Sequence, residues 1–326
     1  AEHLETIWTK VTSLFDTIKE WFEDSLLYHY IGFCIWAIED SKHNAEQRRK
    51  QINDWYNQWM ECGVDKEEFL TSIKNYIRDK IIDCERENLN KLHFEDIYQK
   101  SRIRKILLLH NVQTIITQQE VQTDKYKLAS FHKFPFHLFK KETWNVEHID
   151  SATTNELKQT RDQKPWLRAA LASGKLDYDE KIKKYLDKKC TDIPDFQEIY
   201  DKVMSQFPSD DLLCETVQID DIVDNERMHI WNLALLDEST NKSYRNSIFC
   251  VKRSFVINKE QGKHCHISDE GKVVIDGKAI AFVPICTKQA FLKYYTEDAN
   301  ALLAWSRTDS EKYLEDIKQK LENFLK

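Results

Sequence analysis

The chain has 326 residues, of which 41% are hydrophobic and 32% charged, and a formal net charge of −7. It is longer than the roughly 100–200 residues of one domain, so two domains with real cores are expected, and the hydrophobic fraction excludes a disordered chain. The acidic balance argues against an unspecific nucleic-acid glue, whose affinity comes mainly from Lys and Arg, but leaves room for a local basic patch.

Only six Gly and five Pro are present, which points to a mostly helical body with few tight hairpins. No apolar run approaches the roughly 18 residues of a membrane span, and "AEHLETIWTK" carries neither a signal-peptide pattern nor an initiator Met. A soluble, cytoplasmic protein without a membrane partner is expected, its chain beginning inside a longer one. The eight Cys, at 34, 62, 84, 190, 214, 250, 265 and 286, include no CxxC pair and read as reduced, mostly buried thiols.

From residue 4 to about 117 the pattern is helical. Ile7, Val11, Leu14, Phe15, Ile18 and Phe22 fall on one helix face, and "LLYHYIGFCIWAIED" is apolar nearly all round, as a buried central helix should be. Amphipathic helices are expected over 45–61, 65–90 and 94–117, the second opened by "CGVD" with its Asp as N-cap. The Trp and Tyr residues of this lobe, at helical spacing, read as core rather than as a base-stacking platform. The helical period fails between 120 and 135, where Pro135 appears, so the expected domains are 1–130, a helical bundle, and 131–326.

In the second part "WNVEHID" reads as a short strand, followed by a charged helical insertion over about 154–206. Then "IWNLALL" reads as a strand, "DESTN" as a turn and Ser243 to about Lys259 as a helix. "GKHCHIS" places His264 and His266 on one face of a further strand, though without a CxxC partner for zinc, and His229 reads as structural.

Phosphodiester hydrolysis needs a base for the attacking water and a cation for the charge developing on phosphate. Glu147 offers a hard carboxylate oxygen and His148 an imidazole beside it. Asn232 and Asn241, nine residues apart (241 − 232 = 9), bracket the second strand and the turn. Lys242, Arg245, Lys252, Arg253, Lys259 and Lys263 outnumber Asp237, Glu238 and Glu260 around them, which is the local basic patch that phosphate binding would use.

The pieces "VEHI", "WNLALLDESTN" and "KSYRNSIFCVKR" together resemble the ββα-metal, or HNH, nucleases of the His-Me finger group. More narrowly, "FPFHLFKKETWNVEHID…HIWNLALLDESTNKSYRNSIFCVKR…FVPICTKQAFLKYY" is similar to the C-terminal nuclease domain of GmrSD-type, modification-dependent restriction proteins, a group that includes SspE-like phosphorothioate-sensing defence proteins. The resemblance covers about 135 to 326, and the helical lobe resembles the family's middle region. It implies a mainly α chain with a small α+β part: a helical bundle joined to a helix-elaborated ββα-metal domain closed by "YLEDIKQKLENFL". It also implies a metal-dependent DNA endonuclease of bacterial restriction and antiviral defence, with duplex DNA as partner and Mg²⁺ or Mn²⁺ as cofactor. On this reading His148 is the general base, Asn232 holds the base loop, Glu147 and Asn241 are metal ligands, and Lys242, Arg245, Lys252 and Arg253 meet DNA phosphates. For Glu147 and His148 to share one site the strand end would have to bend or bulge, because adjacent strand residues point to opposite faces. Two departures stand out: "DSATTN" follows "EHI" where the family has Pro-Gln or Ala-Gln, and the family's N-terminal sensor and nucleotide-hydrolysing domain, with its Asp-Gly-Gln-Gln-Arg motif, is not in this chain. The resemblance therefore implies cleavage by this chain without added nucleotide. The alternative is a catalytically idle domain that binds DNA or a protein through the same patch.

Overall fold

The structure, a computed structural model, describes residues 2–39, 44–61, 65–120, 132–150, 157, 160–187, 194–207, 226–244, 247–296 and 303–326. It is mainly helical with two small antiparallel two-stranded sheets, and among the described residues no helix is long and apolar enough to cross a membrane. The chain divides into two compact units. The first comprises 1–89, 105–136 and 318–326, and the second 90–104 and 137–317. This division differs from the expected one in three segments: 90–104 lies with the second unit, and 131–136 and the end of the C-terminal tail lie with the first.

The first unit begins with α1 (Glu2–Glu23), α2 (Ser25–Glu39), α3 (Asn44–Met60) and α4 (Lys66–Tyr76), which continues as a π-helical stretch over Ile77–Ile82. Leu27, Tyr30, Ile31, Phe33, Cys34, Ala37 and Ile38 are buried, so α2 is the central helix its all-round hydrophobicity predicts. Asp24 caps it, accepting from the Leu27 amide at 2.9 Å. Gly32 lets Phe136 lie against the α2 backbone, since a Cβ there would sit 2.5 Å from the ring. Asp65 holds the N-cap position of α4 without a side-chain cap bond; the preceding Cys-Gly-Val lies outside the described residues. The helix expected through 65–90 stops early because Asp83 turns left-handed, at φ 43°. The last helix of this unit is the greater part of α5 (Ile97–Glu120), whose Ile106, Leu107, Leu108, Leu109, Val112 and Ile116 are buried.

The packing of α1 reverses the obvious reading of its pattern. Its contacts with the unit come from Ser13, bonded to Tyr56 at 3.1 Å, from buried Thr17, from Trp21, which meets Trp59 edge-on and stacks on Phe69, and from Phe22, whose ring meets Tyr28 edge-on and lies under the Lys133 ammonium at 3.7 Å. The apolar stripe of Val11, Phe15 and Ile18 faces solvent instead, and Phe22 at its end stays more than half exposed beside its contact with Tyr28.

The second unit holds α6 (Phe136–Phe139) from His137 on, β1 (Trp144–His148), α7 (Thr160–Ala172), α8 (Glu180–Leu186), α9 (Phe196–Gln206), β2 (Leu233–Asp237), α10 (Glu238–Tyr244), α11 (Phe249–Glu260), β3 (Lys263–Ile267), β4 (Val273–Lys278), α12 (Ile285–Phe291) and α13 (Arg307–Lys320) as far as Ile317. Helices α7, α8 and α9 are the expected insertion. β1 and β2 pair antiparallel, from Trp144 opposite Asp237 to His148 opposite Leu233. Every residue of β2 is buried. Two of its carbonyls are satisfied by side chains rather than by a further strand: Leu235 by the Thr287 hydroxyl at 2.7 Å and Leu233 by the Tyr313 hydroxyl at 3.1 Å. Trp144 stacks on Phe139 and donates its indole N–H to that residue's carbonyl, which fixes the start of β1.

Two sequence boundaries shift. Ile230–Asn232 is a 3₁₀ turn rather than strand, and "DESTN" forms the end of β2 and most of α10. The helix expected from Ser243 begins instead at Phe249. Cys34, Cys84, Cys265 and Cys286 are buried and Cys250 is half-buried, none of the five in a disulfide; positions 62, 190 and 214 lie outside the described residues.

Candidate active site

β1, β2 and α10 follow one another as strand, strand and helix, and Glu147 and Asn241 meet across this unit. The Asn241 amide nitrogen donates to Glu147 Oε1 at 2.5 Å. α10 starts where it does because Asp237 caps it: Oδ1 accepts from the Thr240 amide at 3.0 Å and from the Ser239 hydroxyl at 2.7 Å. One turn on, Asn241 comes opposite Glu147. Burial pushes the Glu147 carboxyl above its ordinary range, while Lys252 and Lys100 pull it back.

Asn232 holds the loop that follows β1. Fully buried, it accepts from the Asp150 amide at 2.9 Å and donates to the Asp150 and Arg227 carbonyls at 2.7 and 2.9 Å, while its own carbonyl accepts from Ile149 at 2.8 Å. Asp150 forms a buried ion pair with Arg227. Neither residue was singled out from the sequence, although Asp150 directly follows the Glu-His-Ile run. Residues 151–156 lie outside the described residues.

His148 does not join Glu147. β1 pairs with β2 in regular register through His148, so the bend or bulge that a shared site required is not there. Alternation puts His148 on the face of the buried Trp144 and Val146, and Glu147 on the other. The imidazole Nε2 lies 3.2 Å from Met228 Sδ, and the ring meets Phe94 edge-on with centroids 4.9 Å apart. Burial first, then the charges of Lys252 and Lys100, lowers its pKa to about 3, so the ring is neutral at physiological pH. Phe94 and Lys100 come from the segment 90–104, which the sequence placed in the helical lobe; Lys100 sits over the Phe94 ring at 4.0 Å.

The basic patch is only partly at the surface. Lys252 is buried and donates to the His148 carbonyl at 2.7 Å, with burial drawing its pKa down to about 8 against the pull of Asp150 and Glu147. It therefore serves the strand end and not a phosphate. Lys259 is buried in an ion pair with Glu142 and lies 3.6 Å from Asp237. Lys242 is exposed and paired with Glu238, Arg253 is half-buried, Lys263 bonds Gln261, and Arg245 lies outside the described residues. Sequence counting could not separate these cases, because a lysine at helical spacing looks the same whether its head reaches water or an internal carbonyl. A cleft of about 300 Å³ beside α10 is lined by Lys242 and Ser243 together with Arg168, His266 and Asp269.

Among the described residues no group of three or more His, Cys, Asp or Glu side chains is arranged to hold a metal ion. The Glu147–Asn241 pair is a sparser set. A half-turn of the Asn241 amide exchanges its nitrogen for its oxygen, giving two hard oxygen donors, and Mg²⁺ typically takes one or two protein carboxylates with water and phosphate oxygens completing the shell. The donor chemistry thus fits Mg²⁺ or Mn²⁺ and not a thiolate-seeking metal. His264 and His266 share Asp276, their Nδ1 atoms 2.6 and 2.7 Å from its two oxygens, and His266 lines the cleft beside α10. Comparison of the chain with known protein families, curated proteins and solved structures finds no match.

Proposed function

We propose that the chain is a metal-dependent endonuclease of the ββα-metal type that hydrolyses duplex DNA, as the effector part of a bacterial restriction or antiviral defence system. The observation that carries the reading is the meeting of Glu147 on β1 with Asn241 on α10, two oxygen-bearing side chains brought together from a strand and the helix that follows its partner strand. A divalent cation held there would supply the charge that a phosphodiester gathers as its bond breaks. The chain's own residues do the rest. His148 is neutral, and it can act as base for water only once Met228 and Phe94 move aside and admit solvent, which relieves the burial that lowers its pKa. Lys252 and Asn232 fix the backbone that follows that base, through the His148 carbonyl and the 149–150 amides. The cleft beside α10 carries Lys242, Arg168 and His266, each already paired with a carboxylate (Glu238, Asp269 and Asp276), so a phosphate entering it would have to compete with those pairs.

A second reading, a catalytically idle domain that binds DNA or a protein, is favoured by one observation: the His148 ring is turned onto Met228 and Phe94, away from the Glu147–Asn241 pair. The two readings part in a nicking assay on supercoiled plasmid with EDTA-stripped protein. The nuclease reading expects relaxation to return with Mg²⁺ or Mn²⁺ without added nucleotide, and no relaxation with either metal favours the binding domain. Duplex RNA assayed in parallel separates the two nucleic-acid substrates.

A further inference from the structure

Among the described residues, the longest run of exposed apolar side chains lies on α1, far from any residue of the proposed site in the sequence. Leu4, Trp8, Val11, Phe15, Ile18 and Phe22 follow one another at steps of four, three, four, three and four residues. That is the spacing of a coiled-coil seam. All six are exposed, Leu4 by 72%, Trp8 by 69% and Phe15 by 66%, and Ile7 and Leu14 flank them, also exposed. At about 100° per residue, Ser13 and Thr17, which hold α1 to α3, lie on the opposite side of the helix from this seam. The helix therefore packs on its own unit by a largely polar face and turns its apolar face outward. Monomeric proteins rarely expose contiguous apolar patches larger than about 300–600 Å², and these eight side chains expose on the order of 1,000 Å².

We propose that this face is a self-association surface, on which α1 pairs antiparallel with α1 of a second copy of the chain. Two features favour a second copy, and the antiparallel sense. In an antiparallel pair the seam stacks Leu4 against Phe22, Trp8 against Ile18 and Val11 against Phe15, so every layer joins one aromatic to one aliphatic side chain. A parallel pair would set Trp8 on Trp8 and Phe15 on Phe15, alternating with thin aliphatic layers. The charges agree. Glu5, Thr12 and Lys19 occupy the same flanking position of successive heptads, and the antiparallel inversion about position 13 sets Glu5 of each copy within two residues of the level of Lys19 of the other. Both charged residues are exposed; within its own helix Lys19 makes only a loose contact to Glu23, at 3.9 Å. Complete covering of these eight side chains on both copies would bury at most about 2,000 Å², the upper end of a standard stable interface.

Sedimentation velocity of the whole chain across a concentration series tests this, with far-ultraviolet circular dichroism to confirm that each variant keeps its helices. Wild type is expected to pass from monomer to dimer. Trp8→Glu combined with Phe15→Glu, both at exposed positions, should raise the dissociation constant by about a hundredfold or more. Lys19→Glu should raise it by roughly tenfold, and adding Glu5→Lys should restore it. A chain that stays monomeric, or a dimer indifferent to Trp8 and Phe15, overturns the proposal. Failure of the double charge swap to rescue overturns the antiparallel pairing. A wild-type monomer that instead co-sediments with anionic lipid vesicles would assign the face to a membrane surface and likewise overturn it.

Discussion

Asn232 ties the loop after β1 to the turn before β2 with three side-chain hydrogen bonds from a fully buried position. Asn232→Ala leaves an amide and two carbonyls without those partners, and should cost about 2–4 kcal/mol in urea denaturation. His29 makes a different prediction. Its Nδ1 lies 2.7 Å from the Ser25 carbonyl and its Nε2 accepts from the Phe134 amide, an arrangement that only the neutral ring satisfies. Burial lowers its pKa from 6.5 to about 4, the Ser25 bond opposing and Lys133 adding to the shift. The unfolded chain therefore binds the extra proton between those values. The contribution is complete above pH 6.5, is lost as pH falls toward 4, and amounts to about 3 kcal/mol. His29→Gln, which keeps a donor and an acceptor without titrating, should flatten the fall in unfolding free energy across that window; an unchanged slope would show that His29 is not its source. Glu147, Asn232 and Asn241 were singled out in the sequence, and the structure places them at the junction of β1, β2 and α10. Residue types and spacing could not reveal that Lys252 serves a backbone carbonyl, or that Arg227 neutralises Asp150, because both facts depend on where the chain returns after a long insertion.

At the level of elements, α10 depends on Asp237, which caps the helix and lies 3.6 Å from the buried Lys259 ammonium. Asp237→Ala should cost about 2–4 kcal/mol, from the lost cap and from the burial of a less compensated lysine, while Asp237→Ser, which keeps an acceptor at the cap, should cost less. Comparable losses for the two variants would assign the effect to charge alone. "DESTN" was read as a turn, yet Asp followed by Glu, Ser and Thr is also a helix start, and this capping chemistry is what the fold uses. The β1 strand was legible from Trp144, Val146 and the break at either end. Its alternation was legible too, and it was the assumed bend at Glu147–His148 that the regular register removed. For α1 the period gave the helix and its apolar stripe, but period alone does not say whether a stripe meets its own core or another chain.

For the whole molecule, the sequence made a helical lobe followed by a mixed one. The structure keeps that order but assigns 90–104 to the second unit and 318–326 to the first. Helical periodicity shows that a segment buries one face and carries no record of which core receives it, so Phe94 and Lys100 were invisible as neighbours of His148. The cation-binding half of the account can be checked apart from cleavage. Mn²⁺ binding followed by electron paramagnetic resonance should weaken by about tenfold or more in Glu147→Ala and in Asn241→Ala, with the fold unchanged. The most direct measurement of the central claim is nicking of supercoiled plasmid in Mn²⁺ by wild type and His148→Ala at matched folded concentration, with DNA binding followed by anisotropy. The account predicts that the variant cleaves about 10²–10⁴-fold more slowly while binding DNA as wild type does. Cleavage by His148→Ala at the wild-type rate, or a wild-type chain that binds DNA and never nicks it, would contradict it.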